Sequence, residues 1–386
     1  MKIPSIMFIA GDPSGDQHAA PIIKKLTVCC PQVKTWGIGG QAMAAAGFEQ
    51  ILPFEQFNRM GYVEVLKHLP FFLSAKKHLI NLMKSRRPDA LVCVDYPGFN
   101  MPVMKAAHKL NIPVIWYIAP MVWAWKSGRA KALGAYASHI ATIFPFEVPY
   151  FSPFKAPVTF VGNPLCESLP AIENTVKKFP ADGAFRLAVI PGSRPQEIKN
   201  MLEIMLGAAD LLKTRHPRIK VTVSRFKGFD ETLFETAKQR GIELFNGPLC
   251  ELLKKSDLAL VTSGTASLEA ALMGVPMIIT YRTSAISYAI YRSLIKVPFI
   301  GLPNIIAQAP VVPECIQNEA GPEILANHMN RFLYEPRYWE ETAKNLSALR
   351  ARLGEKTPSS EVADIIQKIA VNGRLPEKQN FIDTSS

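Results

Sequence analysis

A chain of 386 residues that is 48% hydrophobic and 20% charged can bury a large core, and its length predicts two domains. Six scattered cysteines (29, 30, 93, 166, 250 and 315) lack metal-ligand spacing, which predicts free thiols and no structural metal. The apolar stretch before Gly11 is too short for a signal peptide, and Pro298, Pro303, Pro310 and Pro313 exclude a spanning helix over 297–313, so a cytoplasmic location is expected.

In chain order, SIMFIAGDPSGDQHAAPIIKKL (5–26) reads as a buried strand, a Gly/Ser/Asp turn and a helix. Gly37 to Ala42 matches a dinucleotide fingerprint only formally: the strand before it is poor and the helix is cut short near Gly47, so no nicotinamide cofactor is expected. Residues 60–88, MGYVEVLKHLPFFLSAKKHLINLMKSRRP, predict two short helical pieces broken at Pro70. DALVCVDYPGFN, IPVIWYIAP, HIATIFPF and VTFVG are strand-like, with helical MPVMKAAHKL among them. Apolar strands alternating with helices imply a parallel sheet covered on both faces.

After a hinge at LPAIENTVKKFPADGA the arrangement restarts with FRLAVIPGSRPQEI, IKVTVSR, IELFNG, DLALVTSGTASLEAALMG and PMIITYR. The expected fold is α/β, with two tandem doubly wound parallel-sheet (Rossmann-like) domains. The first covers 1–165 and the second 182–335; helices follow over 336–372, then a disordered tail over 373–386. Whether the terminal helices return to the first domain or swap between protomers of a homodimer stays open.

Ligands of open parallel sheets sit beyond the strand C-termini, where helix N-termini present unpaired N–H groups and partial positive charge. Ser263, Gly264, Thr265 and Ala266 lie at such an end; a plain helix N-cap is the alternative. Gly192, Ser193 and Arg194 form a second Gly/Ser turn with an oxyanion-binding guanidinium, and two such turns suggest a diphosphate. Glu269, one helical turn further in, is suited to ribose hydroxyls.

GDPSGD at 11–16, MGYVEVL at 60–66, VDYPGFN at 94–100, VWAWK at 122–126, PGSR at 191–194, SGTASLE at 263–269 and LPN at 302–304 together resemble the lipid-A-disaccharide synthases, nearly end to end. The chain departs from the family pattern at Asp12-Pro13 and Gly98. The resemblance implies a GT-B glycosyltransferase whose domains face across a cleft, the second binding an acylated UDP-glucosamine donor and the first an acylated glucosamine 1-phosphate acceptor. It implies that UDP-2,3-diacylglucosamine and 2,3-diacylglucosamine 1-phosphate give the β-1,6-linked disaccharide 1-phosphate and UDP.

Such an inverting transfer requires a base, and Asp95, ending an apolar strand, is the candidate. Arg194 and the helix start at 264–266 meet the leaving-group charge. Asn304, Glu314 and Gln317 are candidate donor contacts; Ser14, Gly15, Asp16, Asn100 and Trp123 are acceptor contacts that the resemblance implies. No Asp-x-Asp metal site lies at a suitable strand end, and neither cofactor nor nucleic acid is expected.

Acylated, anionic substrates imply an anionic inner-leaflet surface as partner and peripheral association with the inner membrane. Val63, Leu66, Leu69, Phe71, Phe72 and Leu73, with Lys76 and Lys77, are the candidate membrane face. Between 65 and 146, eleven Lys and Arg stand against Asp89 and Asp95, placing nine of the net +12 charges there. The alternatives are a peptidoglycan N-acetylglucosaminyl transferase, a sugar-nucleotide epimerase, or a non-catalytic nucleotide-binding membrane-surface protein.

Overall fold

The computed structural model describes residues 3–57, 69–123, 128–169, 177–180, 182–225, 229–284, 288 and 298–371. The chain forms two compact units, residues 1–167 with 355–386, and residues 168–354.

Unit 1 runs β1 (Ser5–Ala10), α1 (Pro13–Cys29), β2 (Lys34–Gly39), α2 (Gln41–Ala45), β3 (Glu49–Pro53), α3 (Leu69–Arg86), β4 (Ala90–Val94), α4 (Pro97–Lys109), β5 (Val114–Tyr117), α5 (Gly128–Tyr136), β6 (His139–Thr142) and β7 (Val158–Phe160). Its sheet is parallel in the order β3-β2-β1-β4-β5-β6-β7. The run 34–39, poor as a strand by pattern, is β2, while α2 has only five residues. Alternation along β1 divides the core: Met7 and Ile9 pack with Leu79, Met83 and Val103 of α3 and α4, whereas Ile6 and Phe8 pack with Ile22 and Ile23 of α1.

Unit 2 runs β8 (Arg186–Ile190), α6 (Pro195–Arg215), β9 (Lys220–Ser224), β10 (Glu243–Phe245), α7 (Leu249–Lys255), β11 (Leu258–Thr262), α8 (Thr265–Leu272), β12 (Met277–Tyr281), α9 (Leu302–Ala307), β13 (Glu314–Ile316), α10 (Pro322–Tyr334) and α11 (Pro336–Arg352). Its parallel order is β10-β9-β8-β11-β12-β13. In both sheets the order in which strands are added reverses beside the first strand, between β1 and β4 and between β8 and β11, which defines a switch point in each.

The helices expected together after 336 separate. In unit 2, α11 buries Trp339, whose indole N–H donates to the Asp257 carbonyl at 3.1 Å. A final helix, α12 (Pro358–Ile366), returns to unit 1 and packs Val362, Ile365 and Ile366 into the cluster under α1. Burial of each contributes roughly 1.5–3 kcal/mol. No described helix is long and apolar enough to cross a membrane.

Candidate active site

At the unit 1 switch point, β1 leads into Gly11-Asp12 and β4 into Asp95-Tyr96. Asp95 (φ 43°) and Tyr96 (φ 48°) both occupy the left-handed region, which costs on the order of 1–3 kcal/mol each for ordinary residues. The surroundings hold this geometry. Asp95 N–H donates to the Tyr117 carbonyl at 2.9 Å, and the Tyr96 hydroxyl donates to the Phe57 carbonyl at 2.7 Å. The Tyr96 ring lies where a side chain on residue 11 would stand, so only glycine fits there.

Burial, then the negative charge of Asp12, push the Asp95 carboxyl up to about 7, against the Tyr96 N–H and the Arg129 guanidinium. Such a carboxylate is poised between its two protonation states at neutral pH, the condition for a general base. The sequence pattern did not single out Asp12, because its proximity to Asp95 arises only when β1 and β4 pair. Its other role is local: it caps α1, accepting from Gly15 N–H at 2.7 Å and the Ser14 hydroxyl at 2.8 Å.

Several expected acceptor contacts turn inward. Asp16 is buried and accepts from the N–H groups of Gly40 (2.8 Å), Met43 (3.0 Å) and Ala42 (3.0 Å), so both its oxygens are spent capping α2. Asn100 is fully buried; its amide donates to the Asp95 carbonyl at 2.7 Å and lies within 3.4 Å of the Ile9 and Val94 carbonyls. It positions Asp95 from beneath. Gly15 is buried and Ser14 exposed.

Trp123 is also buried, and its indole N–H donates to Glu147 at 3.2 Å. Glu147 accepts from Ile143 and Phe144 N–H and is itself buried. Burial pushes its carboxyl up to about 8, the three N–H donors oppose this, and the Asp95 charge adds to it. This second carboxyl near Asp95 escaped sequence reasoning; its one signal is a lone acid in FPFE, just after β6.

In unit 2, α8 has no side-chain cap from a described residue, and at its start no described atom lies within 4 Å of where a β-carbon on Gly264 (φ 155°) would stand. Its first N–H groups are therefore available to an anion. Ser263 instead donates its hydroxyl to the Ile300 carbonyl at 3.1 Å, fastening the turn to the loop before α9. Thr265 is exposed and Ala266 half-buried. At the other turn Gly192 (φ 124°) leaves room for Glu197, which a β-carbon would meet at 2.6 Å. Glu197 accepts from Ser193 N–H at 2.9 Å and from Arg194 at 2.8 Å, so a carboxylate already engages the donors expected to hold phosphate.

Burial pushes the Glu269 carboxyl up to about 7, against the Cys250 N–H. The remaining donor candidates brace a loop. Asn304 is buried, bonded both ways to Val312 and donating to Glu314 at 2.8 Å. Glu314 also accepts from Ile300 and Gly301 N–H, and the Gln317 amide pairs with the Thr283 backbone. Their polar atoms are drawn to backbone groups that the Pro-rich loop leaves unpaired.

The proposed membrane face divides. Leu69 and Leu73 are 46% and 57% exposed. Phe71 and Phe72, expected to face a membrane, pack instead against Phe57 at 5.2 and 6.1 Å between ring centres, and Phe72 also meets Phe99. Lys76 is half-buried and Lys77 exposed. Val63, Leu66 and the motif at 60–66 lie outside the described residues, as do 124–126 of VWAWK.

Comparison with known proteins matches nearly the whole chain. The family model described as lipid-A-disaccharide synthetase matches residues 6–369. The lipid-A-disaccharide synthase of Geobacter metallireducens is 36% identical over 94% of this chain and 96% of its own, and that of Myxococcus xanthus 34% over 96% and 99%. Among solved structures, the calicheamicin glycosyltransferase CalG4 aligns over 97% of this chain and 100% of its own, with a TM-score of 0.60 at 13% identity. UDP-GlcNAc 2-epimerase from Neisseria meningitidis, bound to UDP-GlcNAc, aligns over 95% and 100% with a TM-score of 0.61 at 13% identity. At such identities the likeness is one of fold, that of two-domain GT-B enzymes. With its family model matched nearly end to end and relatives above 30% identity, the chain belongs to the lipid-A-disaccharide synthase family of glycosyltransferases.

Proposed function

We propose that the protein joins UDP-2,3-diacylglucosamine to 2,3-diacylglucosamine 1-phosphate, giving the β-1,6-linked disaccharide 1-phosphate and UDP. The observation that carries this reading is Asp95, a strand-end carboxyl held in a strained backbone and tuned to about 7. The acceptor 6-hydroxyl oxygen attacks the anomeric carbon of the donor and loses its proton to the Asp95 carboxylate. The bond from that carbon to the diphosphate breaks, and UDP leaves with the electron pair. Attack opposite the leaving group inverts an α-linked donor to a β product.

The departing charge is met by Arg194 and the uncapped N–H groups of α8, with Gly192 and Ser193 shaping the other side of the phosphate site. Glu197 yields those donors when the diphosphate arrives. Glu269 accepts ribose hydroxyls. Unit 1 meets the anionic cytoplasmic leaflet of the inner membrane peripherally through Leu69, Leu73, Lys76 and Lys77, and so collects its acylated substrates. NMR of the product tests the stereochemistry: a β anomeric coupling at the new linkage is expected, and an α linkage would overturn in-line attack assisted by Asp95.

A further inference from the structure

Unit 1 carries a second feature on the face covered by α3 and α4. Along α3, Leu69, Leu73, Lys76, Ile80 and Lys84 recur at intervals of four, three, four and four residues, so they form one stripe. Ala75, Leu79 and Met83, about a quarter-turn away, are buried, which sets the stripe where the helix meets solvent. On α4, Met101, Lys105 and Lys109 form a row beside Pro102 and Ala106. Side chains of both helices line a groove of ≈ 660 Å³.

Of the groove's lining, Ile80, Met101, Ala106 and Leu110 are half-buried and pack on the core, which makes them an apolar floor. Its rim is Lys76, Lys84, Lys105 and Lys109, and among the described residues no acid lines it. None of the four lysines makes an ion pair with a described residue. Lys105 alone has another contact, its ammonium 5.4 Å from the centre of the Tyr136 ring. Converging cations with no counter-charge call for an anion, and an apolar floor beneath them calls for hydrocarbon. A free phosphate leaves the floor unused, and an apolar peptide leaves the lysines unmatched. An anionic amphiphile satisfies both.

We propose that this groove binds one anionic phospholipid of a bilayer, its phosphate among the lysines and the start of an acyl chain on the floor. Leu69 and Leu73, both exposed, continue the stripe beyond the groove. The site is distinct from the strand ends at Asp12 and Asp95; it rests on the membrane reading of Leu69, Leu73 and Lys76 and not on the glycosyltransfer chemistry.

The test uses the full chain and vesicles of phosphatidylglycerol or phosphatidylcholine. Lys84→Gln with Lys105→Gln should weaken phosphatidylglycerol binding about thirtyfold. Lys24→Gln with Lys25→Gln, on α1 across the sheet, should change it less than about twofold. Ala106→Trp fills the groove without removing charge and should weaken binding about tenfold at an unchanged Tm. Equal losses from both lysine pairs would mean diffuse attraction and overturn the site. So would normal vesicle binding by a folded Ala106→Trp protein, or displacement of the vesicles by inorganic phosphate alone. If the groove variants bound vesicles normally and instead raised KM, the groove would belong to the substrate's own chain, and the proposal would fail.

Discussion

Replacing Asp95 by asparagine should make the protein slower and more stable at once. The folded protein holds this carboxyl at about 7 against an ordinary 3.8, so ionising it costs up to about 4 kcal/mol more inside than in water. Below pH 3.8 both folded and unfolded chains keep the proton. Between 3.8 and about 7 only the folded state keeps it, so stability falls as pH rises through that window and levels off above it. An asparagine side chain carries no charge at any pH, so the variant would lack this slope. Asparagine also accepts the left-handed backbone at φ 43°, so the geometry is preserved. The variant should therefore exceed the wild type by up to about 4 kcal/mol at pH 8, with the advantage fading toward pH 4. Turnover should drop roughly 10²–10⁴-fold through loss of the base. Urea unfolding across this pH range, alongside turnover, measures both. Wild-type turnover, or a stability difference that ignores pH, would refute the reasoning.

Asp12→Asn removes the second cause holding Asp95 up while keeping a helix cap, so the acidic limb of the turnover profile should move to lower pH; an unmoved limb would detach Asp12 from the site. Glu269→Ala should weaken UDP binding by roughly ten- to a hundredfold in calorimetry, the worth of one or two charge-assisted bonds, and unchanged affinity would leave Glu269 as a partner of Cys250 alone. Phe71→Ser with Phe72→Ser should lose on the order of 3 kcal/mol of stability, because both rings pack on Phe57, and an unchanged Tm would contradict that packing. Leu69→Ser with Leu73→Ser should leave Tm intact and weaken attachment to anionic vesicles; full attachment would remove these side chains from the interface.

The strands were legible because MFIA, LVCV, LAVI and LALV are apolar on both faces, which only a covered parallel sheet requires. Asp95 and the two Gly/Ser turns were legible for a related reason: they end such strands. Asp12 and Glu147 were not, since three separate strand ends must converge before their charges reach Asp95. Motif residues also conceal direction. Asp16 and Asn100 lie beside the site in sequence, yet backbone groups at a helix start claim both Asp16 oxygens, and those beneath the strand ends claim the Asn100 amide nitrogen. Asn304, Glu314 and Gln317 are likewise taken by their own loop. In residues 69–83, composition could not separate the core side, with Phe72, Leu79 and Met83, from the exposed stripe at Leu69 and Leu73; the phase of α3 does.

The most direct measurement is incubation of the purified protein with UDP-2,3-diacylglucosamine and 2,3-diacylglucosamine 1-phosphate, followed by mass spectrometry. The expected result is a disaccharide 1-phosphate and an equimolar amount of UDP, formed only when both substrates are present and lost with Asp95→Asn. Release or rearrangement of the donor sugar without the acceptor, or no disaccharide from folded protein, would contradict the proposed transfer.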